Sequence, residues 1–171
     1  MKIRLELAKF VGAGFLGACL LAGCAQVVSV ENPLLVGAWR GKVQFTDGAF
    51  ADTKDLEFLY VFNVGGTMTE SSNYDGVPPV PPAYGAWRKV GDRVFEAKYE
   101  YYWTKAPAKF EELSKGGGWL PGGHGLLTQR ITVSADGRSF DSTIKYEVFD
   151  QSGKPTEKES HASAQAAKIG F

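Results

Sequence analysis

The chain has 171 residues, 19 basic and 19 acidic, so its formal charge is zero. That balance excludes the broad basic field by which nucleic-acid binders hold phosphates. The length suits one domain with a sizeable core.

Lys2, Arg4 and Lys9 make a positive start, diluted by Glu6, and an apolar run follows over residues 10–23. The run is too short to span a bilayer as a mature helix and about the length of a signal-peptide core. It ends Leu21-Ala22-Gly23-Cys24, which resembles the lipobox of bacterial lipoproteins. Small residues there fit a signal peptidase, and the Cys24 thiol is the acceptor for diacylglycerol. Cys19, after Leu16-Gly17-Ala18, is a second candidate. A plain secretory signal or an N-terminal membrane anchor is the competing reading. The resemblance implies a signal peptide over residues 1–23, a tether over 24–33 and a domain over 34–171, with the lipid on Cys24 seated in a bilayer. Ala25 is not Asp, which in diderm lipoproteins implies export to the outer membrane, here facing the periplasm. Loss of residues 1–23 removes three basic residues and one acidic, leaving 148 residues with 16 and 18 and a formal charge of −2. Cys19 leaves as well, so Cys24 is the one remaining cysteine and stability rests on the core, not on an intrachain disulfide.

The remainder reads as strand after strand. Residues 36–45 alternate, with Trp39, Val43 and Phe45 on one face and Arg40, Lys42 and Gln44 on the other. Residues 56–63 are rich in aromatic and β-branched side chains, but Phe58, Tyr60 and Phe62 oppose Leu59 and Val61, so periodicity leaves the buried face open. Gly65-Gly66 turns the chain into residues 67–74. Residues 84–90 turn at Gly91-Asp92 into 93–103, and 126–134 turn at Asp136-Gly137 into 138–150. After Ser152-Gly153-Lys154-Pro155 a last strand falls within 156–171. About eight strands joined mostly by tight turns make an all-β antiparallel meander, not a βαβ alternation. An even count lets the first and last strands pair antiparallel, so the expected fold is an up-and-down barrel without free edges.

Three connections are longer. Residues 46–54 join the first two strands. Residues 77–82, Val-Pro-Pro-Val-Pro-Pro, form a stiff extended connector, because proline cannot donate to a ladder. In residues 104–125, Pro107, Phe110, Leu113 and Gly116 predict one short helix. The glycine-rich run after it carries Trp119 and Leu120, which can fold over an apolar opening, so the insert is expected to be a flap.

Gly37-Ala38-Trp39 at the start of the first strand resembles the G-x-W signature of lipocalins and their calycin relatives. The resemblance implies that Gly37 permits a close backbone approach and that Trp39 closes one end of the barrel, covered by a late arginine, either Arg130 or Arg138. The run recurs as Gly85-Ala86-Trp87-Arg88, a second corner or a trace of repetition. The chain departs from the family in lacking a T-D-Y triplet, the usual disulfide and a long helix before the final strand, so the expectation is a lipocalin-like barrel and not a true lipocalin.

Little conventional catalytic chemistry is written here. His124 and His161 have no second ligand at a metal-type spacing and read as solvated. There is no G-x-S-x-G elbow, and Gly122-Gly123-His124-Gly125 lacks the lysine of a phosphate loop. No metal or cofactor is implied. Glu96, Lys98 and Glu100 share the outer face of the fifth strand, leaving Phe95, Ala97, Tyr99, Tyr101 and Trp103 inward. Tyr99, Tyr101 and Trp103, with Tyr60 and Tyr146, are therefore the candidate lining of a cavity, and a filled core with hydroxyls at the rim is the equal alternative. Gln129, inward if Ile131 and Val133 are, has no evident structural role and is the candidate for orienting a ligand.

The leading functional reading is a lipid-anchored envelope barrel that binds a small, partly hydrophobic ligand. The alternative is a structural or protein-interaction module with a filled barrel, its partner unspecified. An enzyme acting on a lipid-like substrate is the third class. An open interior favours binding, a solid one the module, and a perturbed carboxylate or histidine inside the enzyme.

Overall fold

The computed structural model describes residues 33–74, 81–109, 111–115 and 118–170. The expected signal peptide, Cys19, Cys24 and nearly all of the tether lie outside the described residues, as do residues 77–80 of the proline connector, Phe110 and Gly116. Eight strands follow in chain order: β1 (Gly37–Phe45), β2 (Glu57–Phe62), β3 (Thr67–Ser72), β4 (Ala83–Lys89), β5 (Val94–Lys105), β6 (Leu120–Val133), β7 (Ser139–Asp150) and β8 (Ser160–Lys168). Each pairs antiparallel with the next, and β1 pairs with β8, so the sheet closes into an up-and-down barrel. The architecture is compatible with a calycin-like fold. One short helix, α1 (Glu111–Ser114), sits between β5 and β6. Among the described residues no helix is long and apolar enough to cross a membrane.

Period-two alternation puts one set of side chains inside. On β1 the buried residues are Trp39, Gly41, Val43 and Phe45. Pairing resolves the second strand: Trp39 lies opposite Tyr60, so Phe58, Tyr60 and Phe62 point inward while Leu59 and Val61 stay exposed. β8 lines the lumen with Ala162, Ala164 and Ala166. These small side chains leave the middle of the barrel to large rings such as Tyr60 and Phe140, whose centroids are 5.8 Å apart. On β5 the buried set is Phe95, Ala97 and Tyr99, continuing in the half-buried Tyr101 and Trp103. Glu96 faces outward and bridges Arg88 and Arg130 at 2.8 and 3.0 Å.

The two ends of the expected flap belong to the sheet. β5 continues to Lys105 and β6 begins at Leu120, so the later part of the glycine-rich run, from Leu120, is strand, paired to β5 and from Gly123 also to β7. Two of its glycines make room for rings. A Cβ on Gly122 would lie 2.1 Å from the Trp103 ring, and one on Gly125 would lie 2.4 Å from the Tyr101 ring. Each glycine is the seat for an aromatic ring of β5, the arrangement by which rings cover bare strand glycines.

Candidate functional site

The two ends of the barrel differ. At the end where β1 begins, Trp39 is fully buried, donates Nε1–H to the Leu35 carbonyl at 2.8 Å and packs on Phe140 at 5.0 Å. Neither candidate arginine is recorded over the indole among the described residues, and Arg138 is exposed just before β7. Arg130 is on the outer wall with Glu96, and the cation over the indole is the Lys168 ammonium, 5.1 Å from the ring centroid. Lys168 pairs with Trp39 across the β1–β8 seam and donates to the Leu34 carbonyl at 3.1 Å, which aims it at the ring. Gly37 has φ of +133°, a conformation that side chains resist, and so lets the chain enter β1 at this corner. Trp87, from the repeated tripeptide, closes the same end, donating to the Asn63 and Thr67 carbonyls at 3.1 Å.

Above this floor runs a buried polar belt. The Tyr99 hydroxyl donates to Gln129 Oε1 at 3.1 Å, and Gln129 Nε2 donates to Ser142 Oγ at 2.7 Å. Gln129 is fully buried with both ends of its amide engaged, so it holds β5, β6 and β7 in register and does not line the cavity above. Tyr60 is also fully buried, packed 6.5 Å from Tyr99. Its hydroxyl has no hydrogen-bond partner among the described residues. Burial holds both phenols above the ordinary tyrosine range, and the charge of Glu70 pushes the same way.

At the opposite end lies a cavity of about 60 Å³. Its apolar walls include Phe45, Phe58 and Leu127, and Tyr101 and Tyr146 bring hydroxyls to it. Those two rings stack at 6.4 Å and their hydroxyls are hydrogen-bonded to each other. Phe50, from the long loop after β1, also lines the cavity, packing on Phe45 at 5.3 Å and edge-on to Tyr74 at 5.4 Å. The loop is pinned where the His161 amide donates to Asp47 Oδ1 at 2.6 Å and Gln44 donates to the Ala51 carbonyl at 3.1 Å. Among the described residues the β1–β2 loop contributes Phe50 to this cavity and the 104–125 insert contributes none.

One charged-type group enters the cavity wall. Glu70 on β3 is 6% exposed, and its Oε1 has no hydrogen-bond partner among the described residues. Burial raises its carboxyl to about pH 8, so it is mostly protonated at neutral pH. Such a group costs free energy in either form unless a partner arrives. Sequence reasoning passed over Glu70, although alternation from Met68, two residues earlier, puts it inside. Of the expected ligand residues, Tyr101 and Tyr146 line the cavity. Tyr60, Tyr99 and Gln129 lie in the belt below it. Trp103 faces inward over Gly122 but spends its indole N–H on the Phe149 carbonyl at 3.1 Å.

Among the described residues no group of three or more His, Cys, Asp or Glu side chains could hold a metal. His161 is half exposed on the outside, 3.2 Å from Asp47, and His124 stacks on Phe149 at 4.9 Å. No family model matches the chain, and no curated protein matches it.

Proposed function

We propose that this chain is a cell-envelope lipoprotein, anchored by lipid on Cys24 and facing the periplasm from the outer membrane, whose barrel takes a small, partly apolar molecule at its mouth. The observation that carries the binding half is Glu70: a buried carboxyl with an unpartnered oxygen, set in the wall of an aromatic cavity. Sites for small molecules pair apolar walls with a few polar groups in this way. The enclosed volume is well below the roughly 150 Å³ of an engineered cavity that holds benzene. The ligand is therefore small, or enters by one end only. The anchoring half rests on the Leu21-Ala22-Gly23-Cys24 run.

Two other readings each have an observation behind them. The filled lower barrel favours a protein-interaction module with no ligand. The raised carboxyl favours an acid–base enzyme, since such groups cluster at catalytic sites. Native mass spectrometry of the full-length protein extracted from its own membranes separates the three. The binding reading expects a small molecule released on denaturation and unchanged on re-incubation. An altered molecule marks a catalyst, and protein masses alone mark the module. The same spectrum tests anchoring: the mature chain should begin at Cys24 with diacylglycerol and acyl mass added, and Cys24→Ala should abolish that mass. A mature chain starting elsewhere without lipid ends the lipoprotein reading.

A further inference from the structure

We infer that the mouth accepts the ammonium head of a small alkylamine, its nitrogen paired with Glu70 and its alkyl chain against the surrounding aromatic rings. The inference rests on the small-molecule reading above and names the ligand's chemistry.

The electrostatics of the cavity have one sign. Among the described residues Glu70 is the only ionisable side chain in its wall besides the tyrosines Tyr74, Tyr101 and Tyr146, and no lysine, arginine or histidine lines it. Glu157, on the chain before β8, adds a second negative charge felt at Tyr101 and Tyr146. Aromatic faces are themselves negative, so Phe45, Phe50, Phe58 and the two stacked tyrosines strengthen the preference for a cation. A carboxylate ligand would meet like charge in a site with little water to screen it. A neutral alcohol could hydrogen-bond the protonated acid but would gain nothing from the sign of the field.

Size agrees. About 60 Å³ receives an ammonium and the first carbons of a chain, while the rest can leave past the exposed rim at Tyr74 and Pro81. Below neutral pH the free site holds a proton on Glu70, and an alkylammonium displaces it. The tyrosines facing Glu70 from β2 and β5, Tyr60, Tyr99 and Tyr101, and Tyr146 across the cavity, all stay protonated in this range because burial raises them. One proton is thus released per amine bound, and affinity should rise about tenfold per pH unit between pH 5 and 7.

Calorimetric titration of the full-length protein in detergent micelles with n-butylamine, n-butanol and butyrate tests this. Butylamine should bind, butanol at least tenfold more weakly and butyrate not at all. Glu70→Gln, which keeps the shape, should lower butylamine affinity at least tenfold and flatten its pH dependence. The pH profile of the wild-type protein gives the same answer without any variant. If butylamine and butanol bind alike, or if affinity is indifferent to pH, the ammonium assignment fails while the small-molecule reading stands. If none of the three binds and no small molecule is released from the native protein, both fail.

Discussion

The floor and the mouth of this barrel are built from the same residue types and put to opposite use. At the floor, both indole N–H groups have carbonyl partners, a lysine covers the Trp39 face, and rings from β1, β2, β4, β5 and β7 fill the space between. At the mouth, a carboxyl oxygen has no partner among the described residues, beside a cavity walled by phenylalanines and tyrosines. A buried polar group left unsatisfied is destabilising. The contrast therefore sets an end whose buried polar groups are satisfied against one where a buried polar group is not. Between them the Tyr99–Gln129–Ser142 belt separates a packed end from the end that holds the cavity.

Three perturbations sharpen that division. Trp39→Ala removes the largest floor side chain with its hydrogen bond and should cost about 3–5 kcal/mol in denaturant melts. A loss near that of an ordinary surface change would mean the ring is no plug. Gln129→Leu leaves Ser142 and the Tyr99 hydroxyl without their partner and should cost about 1–3 kcal/mol. It should hardly change binding at the mouth, since the amide does not line the cavity, and a large loss of affinity with stability intact would return Gln129 to the ligand. The third effect belongs to Glu70 and is read as a slope against pH. Its folded carboxyl titrates near pH 8, above its unfolded value. The unfolded chain therefore loses its proton first as pH rises. The stabilisation is complete below about pH 4.5 and declines toward pH 8 by up to about 1.4 kcal/mol per pH unit. Glu70→Gln should remove that slope. An unchanged slope would place Glu70 in water.

The barrel was readable in the sequence because its signals are local. Alternation in β1 and β5, the Gly65-Gly66, Gly91-Asp92 and Asp136-Gly137 turns, and an even strand count lead to eight antiparallel strands and closure. The face of β2 was not readable, since Leu59 and Val61 are as apolar as their neighbours and only pairing with β1 decides between them. The insert over residues 104–125 was expected to be a flap, and its two ends are strand instead, because Gly122 and Gly125 answer to rings on another strand and no local pattern records that debt. The lysine over Trp39 was hidden for a similar reason: resemblance supplied an arginine, whereas the seam between the first and last strands supplies Lys168. Glu70 was within reach by counting from Met68, but a glutamate among threonines and serines reads as solvent-facing until its strand is enclosed.

The seam between β1 and β8 also bears on how the chain reaches this state. Its register runs from Trp39 with Lys168 to Phe45 with Ala162, joining the first strand to the last. Every other pairing is between consecutive strands, formed over short spans. The closing contact is the slow kind, since its loop entropy must be met before any of its bonds form. Until residue 168 has been synthesised and docked, β1 presents an open edge beside the exposed Leu59 and Val61 of β2. An incomplete chain is thus a template for pairing with its neighbours. Crowded synthesis should be the condition under which this protein aggregates, and a chaperone that shields β1 until the last strand arrives is the help it would need.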